Sequence, residues 1–180
     1  MAPGGEGLDE MSEKPVVNYR LGTEEDFPII AGFYEKLDAF FREIDLGLPE
    51  PDDVGQAWLD SFTRTYGKFS LVHIAEVDGE VVGFMLSRVK RVPPYWGGVM
   101  VGTLSDMWIE EKGRRLGIGR KLSELALDWL REQGVHSIEI QVLAHNDPSW
   151  GLYESMGFQL ELKQARLLWD DYDKYKNERS

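Results

Sequence analysis

The chain contains no cysteine, which removes disulfides, thiolate metal centres and a cysteine nucleophile together. The redox compartment therefore cannot be read from bridges, and a cytoplasmic address is the default expectation. No stretch approaches the roughly 18 apolar residues of a membrane span, so no membrane partner is expected. The opening residues, 1–14, are Gly-rich and acidic rather than basic and then apolar, unlike a secretory leader. They read as a mobile N-terminal tail in which Met11 is an alternative start. Positive charge is also scarce: 20 Lys and Arg against 32 Asp and Glu give a formal charge of −12. That balance argues against nucleic acid as a partner. The histidines His73, His136 and His145 are scattered. No H-E-x-x-H, paired-cysteine or G-x-S-x-G pattern accompanies them, so neither a metal nor a serine triad is expected.

What is present suffices for one domain. With 180 residues, 42% hydrophobic and 12% aromatic, the chain can bury a sizeable core. Residues 15–170 are assigned to it, followed by a charged C-terminal tail at 171–180. A first strand is expected over Val16 to Arg20. Thr23 with Asp26 three residues on then introduces a helix to about Ile44, with Pro28 tolerated near its first turn. A loop holding Gly47, Pro49 and Pro51 leads to helical spacing over Val54 to Tyr66. Asp78-Gly79 between two β-like runs is a hairpin signal. After Pro93-Pro94 and Gly97-Gly98, a strand runs from Gly102 to Ile109. A helix reaches about Gln133, with Gly134 as its stop. A strand is expected over Ser137 to Leu143, a short helix over Ser149 to Met156 and a final β segment over Phe158 to Trp169. This order predicts a mixed α/β layer fold.

The bend Arg114-Arg115-Leu116-Gly117-Ile118-Gly119 between strand and helix has the build of a pyrophosphate cradle. Gly117 and Gly119 carry no Cβ, so a diphosphate can approach backbone N–H groups that lack helical partners and sit at the positive end of the helix dipole. Lys112, Arg114, Arg115, Arg120 and Lys121 surround the turn, and no acid interrupts Lys112 to Lys121. The same glycines also suit an ordinary loop, since G-x-G alone is unspecific. A Walker loop requires Gly-Lys-Ser/Thr, and a dinucleotide fingerprint requires a third glycine at the right offset. Neither is present.

Downstream, Asn146-Asp147-Pro148-Ser149-Trp150-Gly151-Leu152-Tyr153-Glu154-Ser155-Met156-Gly157-Phe158 follows the strand expected over Ser137 to Leu143. The pair R-x-x-G-x-G and N-x6-Y-x3-G-F, separated by a helix and a strand, resembles the signature motifs of GCN5-related N-acetyltransferases, the GNAT superfamily. The resemblance is dense from Leu104 to Phe158 and extends over about Val16 to Trp169. It implies a GNAT-like, mostly antiparallel sheet flanked by helices, with splayed strands holding acetyl-CoA as cosubstrate. It further implies that Met107, Trp108 and Ile109 offer backbone groups to the pantetheine arm. Arg114, Arg115, Leu116, Gly117, Ile118, Gly119, Arg120 and Lys121 would hold the phosphates, and Asn146 would bond the arm. Asn146 also suits a helix cap, and Trp108 a packed strand end.

An amine attacks a thioester only as the free base, yet a lysine-like amine has a pKa of about 10.4. A carboxylate or water path must take that proton. Asp106 is the candidate, with a solvated strand carboxylate as the alternative; several family members carry two successive acids where this chain has Ser105-Asp106. The leaving thiolate needs a proton donor. Tyr153 stands where many members place it, and aromatic core is its other reading. Without an activated nucleophile, direct transfer in a ternary complex is favoured.

The acceptor is read more coarsely. Glu43, Asp45, Glu50, Asp52, Asp53 and Asp60 cluster around the first two helices, a rim suited to a cationic amine or equally a solvated acidic loop. Tyr95 and Trp96 would add an aromatic wall. The expected function is acetyl transfer from acetyl-CoA to a small-molecule or peptide amine, with a homodimer possible. A non-catalytic acyl-CoA-binding or sensing module and an interaction protein with a vestigial site are the alternatives.

Overall fold

In the computed structural model, residues 15–44, 48–49 and 51–179 are described. The expected N-terminal tail, Gly47, Asp45 and Glu50 lie outside these residues. Strand β1, Val17–Leu21, leads through a 3-10 turn at Glu24–Asp26 into α1, Phe27–Glu43. Arg20 locks this corner: Nη1 and Nη2 donate to the two carboxylate oxygens of Asp26 at 2.7 Å each, and Nε donates to Glu76 at 2.7 Å. The Thr23 N–H also reaches Asp26, at 2.7 Å. Helix α2, Val54–Phe62, is started by Asp53, whose carboxylate accepts from the Gln56 N–H at 2.8 Å. It stops one turn before Tyr66.

Strands β2, Ser70–Val77, and β3, Glu80–Arg91, are joined at Asp78-Gly79. Both turn residues have positive φ, 52° and 83°, the geometry a tight hairpin of right-twisted strands requires. Strand β4 is Met100–Ile109, α3 is Ile118–Glu132 and β5 is Ser137–Ile140. Helix α4 spans Asp147–Ser155. The five strands form one sheet in chain order, antiparallel except for β4 with β5. That junction is parallel because α3 carries the chain back across the sheet.

Each face of the sheet buries its own cluster. On one, α1 and α2 place Phe27, Ile30, Phe33, Trp58 and Phe62 against Val72, Ile74, Phe84 and Leu86. On the other, Ile118, Leu122, Ala126 and Leu130 of α3 and Tyr153 of α4 cover Ala75, Val82, Met85 and Leu104. Period-two alternation along the strands feeds both faces, which is why β2 is buried almost throughout and β3 from Val82 to Ser87.

The C-terminal part departs from expectation. Phe158 to Leu168 forms no strand, and Leu160, Leu162 and Leu167 are exposed. A β pattern becomes a strand only where another backbone supplies hydrogen bonds, and among the described residues no strand pairs with this segment. The tail beyond it is instead helical: α5, Trp169–Asn177, has Asp170 and Asp171 in its first turn and Lys174 and Lys176 in its last. That placement of charge suits the helix dipole.

Candidate active site

The sheet opens at β4. This strand pairs with β5 only from Val101 to Leu104, whereas its pairing with β3 continues to Ile109. Ser87 opposes Leu104 and Leu86 opposes Asp106, so Ser105 is an extra, bulged residue at the point where β5 leaves. From Asp106 onward one edge of β4 has no neighbouring strand. The Glu110 N–H donates to the Val82 carbonyl at 2.7 Å. By alternation the amides of Trp108 and Asp106 also face β3, and those of Met107 and Ile109 face the open side. Of the three backbone positions expected to serve a ligand there, Trp108 is thus taken by the sheet. The Ile109 carbonyl does meet a donor on the open side, Arg114 Nε at 3.2 Å.

The glycine bend closes the end of this gap. Gly117 has φ 78°, and Arg115, with φ 64°, is one of two described non-glycine residues with positive φ. Such a conformation costs about 1–2 kcal/mol in a residue with a Cβ and is a mark of functional turns. The first helical bond of α3 runs from Lys121 N–H to the Gly117 carbonyl at 3.1 Å, so the amides of Ile118, Gly119 and Arg120 precede the ladder. Ile118 is 1% exposed and anchors the turn in the core. A Cβ on Gly119 would lie 3.3 Å from Ile109 Cδ1, 3.5 Å from Met107 Sδ and 3.6 Å from Leu152 Cδ2. The bend, the end of β4 and α4 therefore converge on the one position that lacks a side chain.

The basic island is partly committed. Lys112 pairs with Glu80, Lys121 with Glu124 at 3.8 Å, and Arg120 donates to Ser155 Oγ at 2.7 Å. Arg114 also lies over the Trp108 ring, 5.8 Å from its centroid. Arg115 and Leu116 are exposed. Asn146 caps α4: its side-chain oxygen accepts from the Ser149 N–H at 3.2 Å, the second of the two roles its sequence context allowed.

Tyr153 is 5% exposed and packs edge-on against Phe158 with centroids 5.6 Å apart. Burial raises its pKa above the usual 10, tempered by the nearby Ser123 hydroxyl. Ser123 itself donates to the Gly119 carbonyl at 2.8 Å. Asp106 is half-buried, and its pKa is raised, first by burial, against the opposing influence of Tyr34 and Arg88. The two expected catalytic side chains lie on opposite faces. Asp106 and Trp108 look toward α1 and α2, whereas Met107, Ile109 and Tyr153 belong to the α3 face.

Sequence reasoning missed the surroundings of Asp106. Tyr34 stacks on Trp58 at 4.7 Å, 21° from parallel. The Tyr34 hydroxyl influences Asp106 electrostatically, yet makes no hydrogen bond of normal geometry. Tyr34 Oη, Trp58 Nε1 and Trp108 Nε1 are all buried polar atoms without a partner. Arg88 was legible in principle, because the alternation Phe84, Leu86, Arg88 sets a cation on an inward-facing row.

The expected acidic rim is less of a unit. Glu43, Asp52, Asp53 and Asp60 are exposed, Asp53 caps α2, and Asp60 accepts from Gln56 Nε2 at 2.8 Å. Tyr95 and Trp96, 82% and 70% exposed, sit in the connection before Met100, at the opposite end of β4 from the bend. No group of three or more His, Cys, Asp or Glu able to hold a metal occurs among the described residues. No described helix is long and apolar enough to cross a membrane.

Residues 30–158 match the family model described as the acetyltransferase (GNAT) family. An N-alpha-acetyltransferase of Sulfurisphaera tokodaii is 32% identical over 106 residues, 54% of this chain and 61% of that protein. An L-amino acid N-acetyltransferase of Escherichia coli is 29% identical over 116 residues, 64% of this chain and 67% of that one. A mycothiol acetyltransferase of Thermomonospora curvata is 32% identical over 85 residues, of which the chain spans 26%. The chain thus covers from about a quarter to two thirds of these relatives. Among solved structures, a predicted acetyltransferase of Clostridium acetobutylicum determined with acetyl-CoA superimposes with TM-score 0.67 at 19% identity, over 85% of this chain and 96% of that one. At that identity the likeness is one of fold.

Proposed function

The chain belongs to the acetyltransferase (GNAT) family, and we propose that it moves an acetyl group from acetyl-CoA to a primary amine by direct attack in a ternary complex. The observation that carries this reading is the break in the sheet: β4 loses β5 after Leu104, and the unpaired amides of Met107 and Ile109 run toward the bend at Gly117 and Gly119. An extended amide-bearing arm can add to such an edge as a strand would. Its diphosphate then meets the free N–H groups of Ile118, Gly119 and Arg120, at the positive end of α3. At Gly117 nothing lies within 4 Å of where a Cβ would stand, so the backbone of the bend is open to a ligand there, while Gly119 lets the first turn of α3 pack against Met107, Ile109 and Leu152.

Acetyl-CoA supplies a thioester carbonyl carbon at the gap. The amine nitrogen forms a bond to that carbon, the carbon–sulfur bond breaks, and two proton movements balance the transfer. Asp106, on the α1 and α2 face, holds the incoming ammonium and takes its proton directly or through water. Burial raises its pKa, which brings the carboxylate closer to the amine in basicity and eases that step. Tyr153, on the other face, gives its proton to the departing thiolate. Its raised pKa keeps it protonated at every physiological pH.

Thiol release with a panel of amines tests the reading. Tyr153→Phe is expected to lower turnover about tenfold or more while leaving coenzyme affinity nearly unchanged. Binding of acetyl-CoA with no transfer to any amine would instead support the sensing module. No shift of melting temperature on adding acetyl-CoA would reject both.

A further inference from the structure

Among the described arginines, only Arg20 and Arg88 are not exposed. Arg20 is answered by two carboxylates, Asp26 and Glu76. Among the described residues Arg88 makes no hydrogen bond or close ion pair; Asp106, across the bulge, acts on it only through space. A half-buried guanidinium without hydrogen-bonded acceptors is unfavourable, and its planar fork is matched to a carboxylate. Its place in the sheet is informative. Leu86 opposes Asp106 and Arg88 opposes Thr103, so Arg88 and Asp106 flank the bulged Ser105 on the α1 and α2 face. Tyr34, whose hydroxyl acts on Asp106, stacks on Trp58; Tyr34 Oη, Trp58 Nε1 and Trp108 Nε1 are buried without a hydrogen bond of normal geometry among the described residues. A cation without hydrogen-bonded acceptors, a hydroxyl and two N–H donors thus share one face with Asp106, while the next carboxylate along that face, Glu110, is taken by Lys36 of α1.

We propose that Arg88 binds a carboxylate of the acceptor, so that the substrate is a small zwitterion of the amino-acid type whose amine is directed to Asp106. The inference rests on the acetyltransferase reading and narrows its substrate class. Arg88 supplies two parallel donors to the anion, the Tyr34 hydroxyl and the Trp58 indole are placed to add others, and the stacked rings exclude water. The same cation disfavours polyamines and other acceptors that bring only positive charge. The exposed acids of the rim do not oppose this assignment, because Asp53 is a helix cap and Asp60 accepts from Gln56.

The test compares each of several L-amino acids with the amine left by removing its carboxyl group, using thiol release. The amino acid is expected to be preferred in kcat/KM by about tenfold to a hundredfold, the range of a charge-assisted hydrogen-bond pair. Arg88→Gln is expected to collapse that ratio toward one, and Arg88→Lys to restore part of it. The melting temperature of each variant monitors folding. Saturable thermal stabilisation of the wild-type protein by the amino acid, lost in Arg88→Gln, provides a second readout that needs no turnover. Equal use of acid and decarboxylated amine, or a preference unchanged in a folded Arg88→Gln, overturns the proposal while leaving acetyl transfer intact. If no amine is turned over, absence of stabilisation by any amino acid overturns it as well.

Discussion

A methyl group on Gly119 would stop 3.3 Å from Cδ1 of Ile109, so the first turn of α3 lies against the end of β4 with only glycine between them. Met107 Sδ and Leu152 Cδ2 complete the surround at 3.5 and 3.6 Å. All three are ends of flexible side chains that can move by a few tenths of an ångström. Gly119→Ala is therefore expected to fold with little change in melting temperature, and to weaken coenzyme A binding, by calorimetry, only through the shift it forces on Met107 and Ile109 at the open edge of β4. Gly117→Ala should behave in the opposite sense: at φ 78° a Cβ costs about 1–2 kcal/mol, and the loss is expected first in thermal stability.

Asp106 trades stability for chemistry. Its folded pKa is raised, chiefly by burial, so folding favours the protonated carboxyl. The contribution is present below the unfolded value near 3.8 and is lost as pH rises through the higher folded value. At neutral pH the charge opposes folding. Asp106→Asn is expected to raise the melting temperature at pH 7 and to flatten its fall across that window, while turnover drops about tenfold or more. A variant with unaltered activity would remove Asp106 from the reaction.

The Arg20–Asp26 pair has the reverse sign. Hydrogen bonds from Arg20, ahead of those from Thr23, lower the Asp26 pKa. The pair's contribution is complete above the unfolded value near 3.8 and is lost as pH falls through the depressed folded one. Asp26→Asn is expected to cost about 2 kcal/mol at pH 7 in urea unfolding, with a smaller acid-induced loss than wild type below pH 4.

The segment after Phe158 presents Leu160, Leu162, Leu167 and Trp169 at 64%, 79%, 67% and 79% exposure. A run of large apolar side chains in water is covered in most soluble proteins, and β5 has one edge free to pair. Sedimentation velocity over rising concentration is expected to show a monomer–dimer equilibrium, shifted to monomer by Leu160→Asp with Leu162→Asp. A monomer at all concentrations would refute this expectation.

What was legible in the residues was local. The Asp78-Gly79 hairpin, the glycine bend, the amphipathic α3 and the stop at Gly134 each depend on a few neighbouring residues whose φ preferences or spacing leave few choices. The strand expected over Phe158 to Trp169 has the right alternation but needs a partner backbone, which no local pattern supplies. Helical spacing can place Tyr34 and Trp58 inward, but it does not show that their polar atoms go unanswered. Asn146 suited two roles, and the cap became visible only in the distance to Ser149.

The two-sided use of β4 has a consequence for chain length. Met107 and Ile109 serve one side and Asp106 and Trp108 the other because successive residues point in opposite directions. Deleting or adding one residue between Ser105 and Glu110 would invert this stretch, sending the carboxylate toward α3 and the hydrophobic pair toward α1 and α2. Substitution in this segment can spoil one partner's seat at a time; a single-codon indel would transpose both.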